Sequence, residues 1–137
     1  MQLLDNKPVT VKQYTWFLTK TDHPIPLYWE LQKGRNKQAV VGVSLIDARA
    51  YTRWAKKRLP TDTELNEAFI KCLVERHCPA NYEWCELDQF NSPPSGVVRG
   101  GSWSNAFSDS LAASSRYEYD SGSRNDDVGF RCAGSAQ

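Results

Sequence analysis

Signals for the start of a helix are confined to the first half of this chain, and they constrain its fold more than any other feature. Three polar residues there precede apolar side chains at helical spacing: Thr10, Ser44 and Thr61. Three positions after the second and third of these lie Asp47 and Glu64, which complete capping boxes. We therefore predict two or three helices, all in the first half of the chain.

The apolar positions that follow these caps predict which helix faces are buried. The first helix should end near Leu18, and the second should carry one apolar stripe from Ala48 to Leu59. Three tryptophans are also expected inside, because aromatic side chains are more often buried than exposed: Trp16, Trp54 and Trp84. A chain of 137 residues has the length of one domain, so these faces should share one core.

Beyond Arg76, prolines, asparagines and glycines interrupt any long element, so only short strands are expected. The candidate strands are residues 82–86, 97–99 and 129–133. Residues 104–127 contain no lysine, and 16 of these 24 residues are Ser, Asp, Asn, Tyr or Gly. Because this stretch also carries Phe107 and Leu111, we predict an ordered loop rather than a disordered linker. The pattern predicts an α+β domain over residues 1–137, with short strands and long irregular C-terminal loops.

Charge and hydropathy exclude several kinds of partner. The chain has 17 Lys and Arg against 16 Asp and Glu, and this net charge of +1 is too small to concentrate a polyanion. Nucleic acid binding is therefore not expected. Apolar runs such as residues 40–43 fall far short of the ~20 residues that span a bilayer. Residues 1–7 lack the features of a secretory signal, so we expect neither membrane insertion nor export by that route.

Few side chains offer catalysis or metal binding. The cysteines are spaced too widely for a zinc site: Cys72, Cys78, Cys85 and Cys132. They are expected to be reduced, with one disulfide as the alternative. His23 and His77 belong to no nucleophile or metal motif, and no glycine-rich phosphate loop occurs. Asp120, Asp126 and Asp127 lack the spacing of an EF-hand loop. No catalytic residue, metal site or cofactor is predicted.

Several segments together resemble one family. Residues 40–54 resemble its P-V-V-x-V-S-W-x-D-A-x-A-Y-x-x-W segment, and residues 57–65 resemble its K-R-L-P-T-E-A-E-W segment. Residues 82–84 resemble W-E-W, while R-G-G-S-W lies at residues 99–103 and G-F-R-C-A at residues 129–133. These motifs resemble the formylglycine-generating-enzyme type of the C-type lectin fold. The resemblance covers nearly the whole chain in the correct order, and it implies that fold.

Oxidase members of this family convert a sulfatase cysteine to formylglycine, using copper and two cysteines that follow the R-G-G-S motif. Here residues 104–114 contain no cysteine, so we do not expect the enzyme activity. The resemblance also implies a calcium ligand at Glu83. Arg76 lies near the place where these relatives carry an Asn, so we do not expect calcium either.

A second branch with this fold comprises the variable proteins of diversity-generating retroelements, phage receptor-binding tail proteins among them. Their segment between R-G-G-S-W and G-F-R is diversified at adenines, chiefly in AAY codons, which yields Ser, Asp, Asn, Tyr and Gly but not Lys. Residues 104–127 resemble that repertoire, although Glu118 departs from it. Interleaved framework positions also resemble the family: Leu111, Ala113, Arg116, Arg124 and Val128. On this resemblance, residues 1–103 are the scaffold, 104–128 the variable segment, and 129–137 the closing strand and tail.

The resemblance implies a ligand-binding surface formed by the variable positions. These are Ser104, Asn105, Phe107, Ser108, Asp109, Ser115, Tyr117, Tyr119, Asp120, Gly122, Ser123, Asn125, Asp126 and Asp127. The expected partner is a protein or glycan on a cell surface, and the chain can act there as a monomer or an oligomer. Two rival functions are an enzyme relative with lost or altered activity and a structural domain, for example of a virion. Arg99, Arg116 and Arg131 are predicted framework residues that bind loop carbonyls and carboxylates.

Overall fold

The structure is a computed structural model, and it describes residues 4–5, 7–65, 67–68, 82–86, 96–99 and 116–134. Its helices are α1 (Val11–Lys20), α2 (Trp29–Gln32) and α3 (Leu45–Trp54), and residues 62–65 and 67–68 are also helical. Its strands are β1 (Tyr82–Cys85), β2 (Gly96–Arg99), β3 (Arg116–Tyr119) and β4 (Val128–Gly129). The described part therefore has the predicted α+β organisation, with helices first and strands after.

Local side chains begin the helices where the sequence predicts. The Thr10 hydroxyl accepts a hydrogen bond from Gln13 N at 3.2 Å, and Gln13 Oε1 accepts one from Thr10 N at 2.9 Å. The same reciprocal arrangement forms at the two other predicted starts, Ser44 with Asp47 and Thr61 with Glu64. All three predicted helix starts are confirmed, because each cap satisfies main-chain N–H groups that lack a partner inside the helix.

The four strands form one sheet in the order β3-β2-β1-β4. β2 pairs antiparallel with both of its neighbours, so Val98 lies between Trp84 of β1 and Tyr117 of β3. β4 pairs parallel with β1 and places Val128 opposite Tyr82. The sheet therefore fixes both ends of residues 120–127, which connect β3 to β4.

Aromatic rings from α1 and α3 pack in the core against the chain that follows β4. Tyr14 stacks on Tyr51 with ring centroids 5.7 Å apart, and Phe130 meets Tyr51 edge-on at 5.4 Å. Trp84 is fully buried, as predicted, and its Nε1 donates a hydrogen bond to Val43 O at 3.0 Å. This bond joins β1 to the segment that enters α3.

Trp16 lies on the surface, so its predicted burial is wrong. Its side chain is 57% exposed, because position 16 lies off the buried stripe of α1 that Tyr14 and Phe17 share. Lys20, one turn later, places its ammonium 4.6 Å from the centre of the Trp16 ring. Trp54 is half-buried and packs against the core.

The bounds of two predicted helices differ from those observed. α1 continues two residues past Leu18 to Lys20. α3 ends at Trp54, so the predicted stripe stops there, and Leu59 reaches the core from beyond the helix. None of the helices in the described part of the chain has the length and apolar character needed to cross a membrane.

Two elements were not predicted, and one strand is shorter than expected. α2 is a single turn, and β3 lies inside the segment predicted to be irregular, where its pairing with β2 makes it a strand. β4 covers residues 128–129 rather than 129–133. The chain beyond it still contributes main-chain pairing, since Ala133 bridges both Leu4 and Arg58.

Candidate functional site

Residues 120–127 form the last part of the predicted variable segment and connect β3 to β4; we call them the β3–β4 loop. Main-chain atoms hold this loop against the scaffold: Gly42 N donates to Asn125 O at 3.0 Å, Ile46 N to Ser121 O at 3.4 Å and Tyr82 N to Asp127 O at 2.9 Å. Inside the loop, Ser123 closes a turn, because its N and Oγ both donate to Asp120 O. Main-chain hydrogen bonds do not depend on side-chain identity, so the loop can keep its path when side chains change.

The Arg124 side chain ties the loop to the start of α3. Its Nε and Nη2 donate to the two carboxylate oxygens of Asp47 at 2.8 and 3.1 Å. Asp47 also accepts from Ser44 N at 2.9 Å, and its Oδ1 lies 2.7 Å from His23 Nε2. Burial by itself raises the pKa of Asp47, but the hydrogen bonds from Arg124, Ser44 and His23 outweigh it and hold that pKa below its ordinary value. Asp47 is therefore charged at neutral pH and anchors the loop.

The structure brings several predicted ligand-binding positions together on the β3–β4 loop. Three of them are exposed: Asp120, Gly122 and Asp126. Three more are half-buried: Ser123, Asn125 and Asp127. Tyr117 is placed by the main chain of β3. The remaining predicted positions lie outside the described residues: Ser104, Asn105, Phe107, Ser108, Asp109 and Ser115.

Tyr119 differs from the other predicted positions because its ring supports the core. It is half-buried, and it meets the buried Trp84 ring edge-on with centroids 6.3 Å apart. Gly122 is the opposite case, since a Cβ added there would meet no atom within 4 Å. The loop thus offers open space at its tip and packing at its base.

Exposed apolar side chains lie beside the loop, at positions that were not predicted to be functional. We call Leu27, Tyr28 and Ile46 the apolar rim; they are 40–56% exposed. The rim adjoins the loop through the main chain, because Leu27 N donates to Gly42 O at 3.0 Å and Gly42 N donates to Asn125 O. Ile46 itself bonds the loop through its N–H. Leu27 and Tyr28 follow Pro26, whereas Ile46 lies in α3, so no periodic pattern in the sequence marks the three as one surface.

The predicted framework role of Arg131 is confirmed. Its Nε and Nη2 donate to the two carboxylate oxygens of Glu83 at 2.6 and 2.9 Å, and both side chains are buried. Burial by itself lowers the pKa of Arg131. The Glu83 carboxylate outweighs burial, so the pKa of Arg131 lies above its ordinary value and the guanidinium stays charged. The two other predicted framework residues are placed by main-chain pairing alone: Arg99 lies opposite Glu83, and Arg116 lies opposite Arg99. The side chains of Arg99 and Arg116 lie outside the described part.

The described residues do not fit the metals that the family resemblance implies. Both oxygens of Glu83 face the Arg131 guanidinium, whose charge opposes a calcium ion. Cys85 and Cys132 are buried in two separate apolar clusters, so they cannot share a copper ion. Burial raises the pKa of Cys132 to about 12, which keeps this thiol protonated. Within the described ranges, no three His, Cys, Asp or Glu side chains are grouped as metal ligands.

Comparison with known protein families matches residues 3–72, just over half of the chain, to the sulfatase-modifying factor enzyme 1-like domain. The chain belongs to this family. The matched residues contain α1, α3 and the Asp47 anchor, and membership agrees with the C-type lectin-like fold that the motifs predict. No curated protein matches the chain at a significant level. A shared fold does not determine function, so the role of the β3–β4 loop rests on its own geometry.

Proposed function

We propose that this member of the sulfatase-modifying factor enzyme 1-like family is a ligand-binding domain whose recognition surface is formed by variable positions within residues 104–127. The observation that supports the proposal is that the β3–β4 loop is anchored to the scaffold mainly by its main chain. Its carbonyl oxygens and the Arg124 guanidinium make the anchoring bonds, while Asp120, Gly122 and Asp126 project from the surface. Rigid scaffolds that present replaceable loop side chains are a common design for binding proteins.

The chemistry around the loop favours a protein ligand over a glycan. Short polar side chains at the loop adapt to many surfaces, and the apolar rim adds apolar contact area next to them. Leu27 and Ile46 carry no hydrogen-bonding groups to match sugar hydroxyls, whereas exposed apolar area of this kind is typical of protein interfaces. A cell-surface protein is therefore the partner we favour, with a glycan as the alternative.

The amino-acid content of the segment supports diversification by a retroelement as the origin of this surface. Residues 104–127 consist mainly of types that arise from AAY codons by adenine change. In the gene, this origin requires a near-copy of the codons for residues 104–127 that differs at adenines, close to a reverse-transcriptase gene. Sequencing the neighbourhood of the gene tests it, and a locus without the near-copy would contradict diversification while leaving the binding function open.

A display library tests whether the surface can bind. Codons for the predicted variable positions are randomised with the AAY repertoire, the chains are displayed on yeast, and binders to hen lysozyme as an arbitrary protein are selected. A matched library randomises four exposed scaffold residues far along the chain from the loop: Lys33, Arg35, Asn36 and Lys37. We expect the first library to keep normal display and to yield lysozyme binders more often than the second. Loss of display in the first library would show that the segment is structural.

The rival enzymatic function has its own test. The full chain is incubated with copper, oxygen and a cysteine peptide that carries a sulfatase motif, and aldehyde formation is measured by mass spectrometry. We expect no aldehyde above the control without protein, because residues 104–127 contain no thiol and the described thiols are buried apart. Aldehyde above that control would replace the binding proposal with an oxidase.

A further inference from the structure

A cavity of about 520 Å³ is lined in part by the N-terminal segment, and no residue of the β3–β4 loop lines it. Asp5 N donates to Cys132 O at 2.9 Å, and Val9 N donates to Phe130 O at 2.8 Å. Between these two bonds the N-terminal segment has three residues, while the opposite chain has one. The two segments therefore differ in length here, and Lys7, Pro8 and Val9 of the N-terminal segment line the cavity.

Polar and apolar residues line the cavity in similar measure, and two of the lining residues, Tyr51 and Cys132, are buried. The lining also includes Val9 from the N-terminal segment and Ala55 just after α3. Burial raises the pKa of Tyr51 and that of Cys132 to about 12 each, so both keep their protons at neutral pH. The hydroxyl and the thiol therefore each keep a hydrogen that they can donate.

The charged groups at the cavity carry one excess positive charge. Lys57 Nζ lies 3.2 and 3.0 Å from the two carboxylate oxygens of Asp5, so these two charges compensate each other. Lys7 also lines the cavity, and it forms no ion pair with any residue in the described ranges. Thr10 and Gln13 are engaged with each other in the cap of α1. Lys7 is thus the charged group left for a ligand.

We propose that this cavity binds a small organic monocarboxylate, with an apolar body against Val9, Tyr51 and Ala55 and its carboxylate toward Lys7. The volume lies within the range of about 300 to 1,000 Å³ that is usual for small-molecule sites. A monoanion matches the single excess charge, whereas a doubly charged phosphate would leave uncompensated negative charge near Asp5. None of the lining residues belongs to the β3–β4 loop, so this proposal does not depend on the recognition function proposed above.

Fluorine NMR of the full chain tests the charge requirement. The probe is para-fluorobenzoate, compared with para-fluorobenzamide, which has nearly the same shape without charge, and with para-fluorobenzylammonium. We expect saturable binding of the benzoate and at least about fivefold weaker binding of the amide and the ammonium compound. Equal affinity for the amide, preference for the ammonium compound, or no saturation below about 20 mM benzoate would overturn the proposal.

Two variants locate the binding. Ala55→Leu fills the cavity from the end of α3, and Arg53→Leu is its control, since Arg53 is exposed on the same helix and does not line the cavity. Lys7→Gln removes the excess charge at an exposed position, with Lys12→Gln as its control. We expect Ala55→Leu to abolish benzoate binding and Lys7→Gln to weaken it at least about threefold, with both controls unchanged. If Ala55→Leu does not fold, Lys7→Gln decides: unchanged benzoate affinity there overturns the proposal.

Discussion

Glycines are closely packed in the scaffold, in which we now include the closing strand from residue 129, and loosely packed in the β3–β4 loop. Gly42 has a φ of +73°, and a Cβ there would collide with the main-chain carbonyl of Leu27. A Cβ at Gly129 would collide with the carbonyl oxygen of Val40. Gly122, in the loop, has no such neighbour. Side-chain identity is thus constrained by close backbone contacts where the scaffold packs, and is free at the loop tip.

The two carboxylate–arginine pairs show the same difference. In the scaffold, Glu83 and Arg131 are exposed by only 1% and 7%, so neither charge has water as an alternative partner. At the loop, Asp47 is 3% exposed but Arg124 is 33% exposed, and Asp47 has other hydrogen-bond partners. We infer that the loop is attached to the scaffold less tightly than the scaffold is held together, and the following experiments probe this difference.

Arg131→Ala should have the largest effect. It leaves the Glu83 carboxylate buried without its cation, and removal of one partner of a buried ion pair costs about 3 to 5 kcal/mol. The free energy of unfolding in urea measures the loss. Arg53→Ala is the control, because this exposed α3 residue should change stability by less than about 0.5 kcal/mol. A loss below about 1 kcal/mol for Arg131→Ala would mean that the pair does not hold the scaffold.

Arg124→Ala should cost less, about 1 to 3 kcal/mol, because Asp47 keeps its bonds to Ser44 and its contact with His23. The loss should be local. Hydrogen exchange should accelerate at the amides of Gly42 and Ile46, which donate to the loop, and stay unchanged at Val9, which donates to Phe130.

Arg124→Lys refines this experiment, because an ammonium cannot form the two parallel bonds that the guanidinium makes to Asp47. We expect the lysine variant to remain closer to Arg124→Ala than to the parent chain. Uniform acceleration of exchange at Gly42, Ile46 and Val9 would show that the loop and the scaffold unfold as one unit, contrary to the comparison above.

Protonation of Glu64, a scaffold residue, should have a smaller effect on the free energy of unfolding. Hydrogen bonds from Arg58 hold the pKa of Glu64 at about 2, below its ordinary value of 4.5. The folded state therefore binds the proton less readily than the unfolded state does. This contribution to stability is present above the ordinary pKa and is lost as the pH falls toward 2.

The measurement is the free energy of unfolding at several pH values between about 5 and 2. The stability of the parent chain should fall as the pH is lowered, and this fall should be smaller in Glu64→Gln. Glu67→Gln, in the same helical segment, is the control and should follow the parent chain. The Glu64 side chain is partly exposed, so the difference should be modest. Identical pH profiles for the parent and Glu64→Gln would show that the Arg58 pair adds nothing to stability.

Local chemistry explains which parts of the fold could be predicted from the sequence. The caps at Thr10, Ser44 and Thr61 depend on partners three residues away, so the sequence contains both members. Trp16 was misplaced because the general tendency of aromatic residues to be buried was given more weight than its position off the α1 stripe. The alternation of Arg116, Tyr117, Glu118 and Tyr119 was an available strand signal, hidden by the surrounding serines.

Contacts between distant residues explain what could not be predicted. Asp47 and Arg124 are 77 positions apart, and no sequence pattern pairs one carboxylate with one of many arginines. Arg131 was recognised as a framework residue, but its partner Glu83 was considered only as a metal ligand. The cavity is lined by Asp5 and Val9 together with Cys132, which main-chain pairing brings together and composition does not predict.

Substitutions at the loop tip should have the smallest effect, and they test the comparison most directly. The triple variant Asp120→Ser, Gly122→Ser and Asp126→Tyr uses residues that the proposed diversification would supply. Each change should shift the free energy of unfolding by less than about 0.5 kcal/mol, as at other exposed positions. Tyr119 stays unchanged because its ring packs on Trp84. Gly42→Ser is the matched control and should destabilise strongly, since Gly42 combines a positive φ with a collision against main-chain atoms. If Gly122→Ser alone costs as much as Gly42→Ser, the loop is part of the scaffold and cannot serve as a replaceable recognition surface.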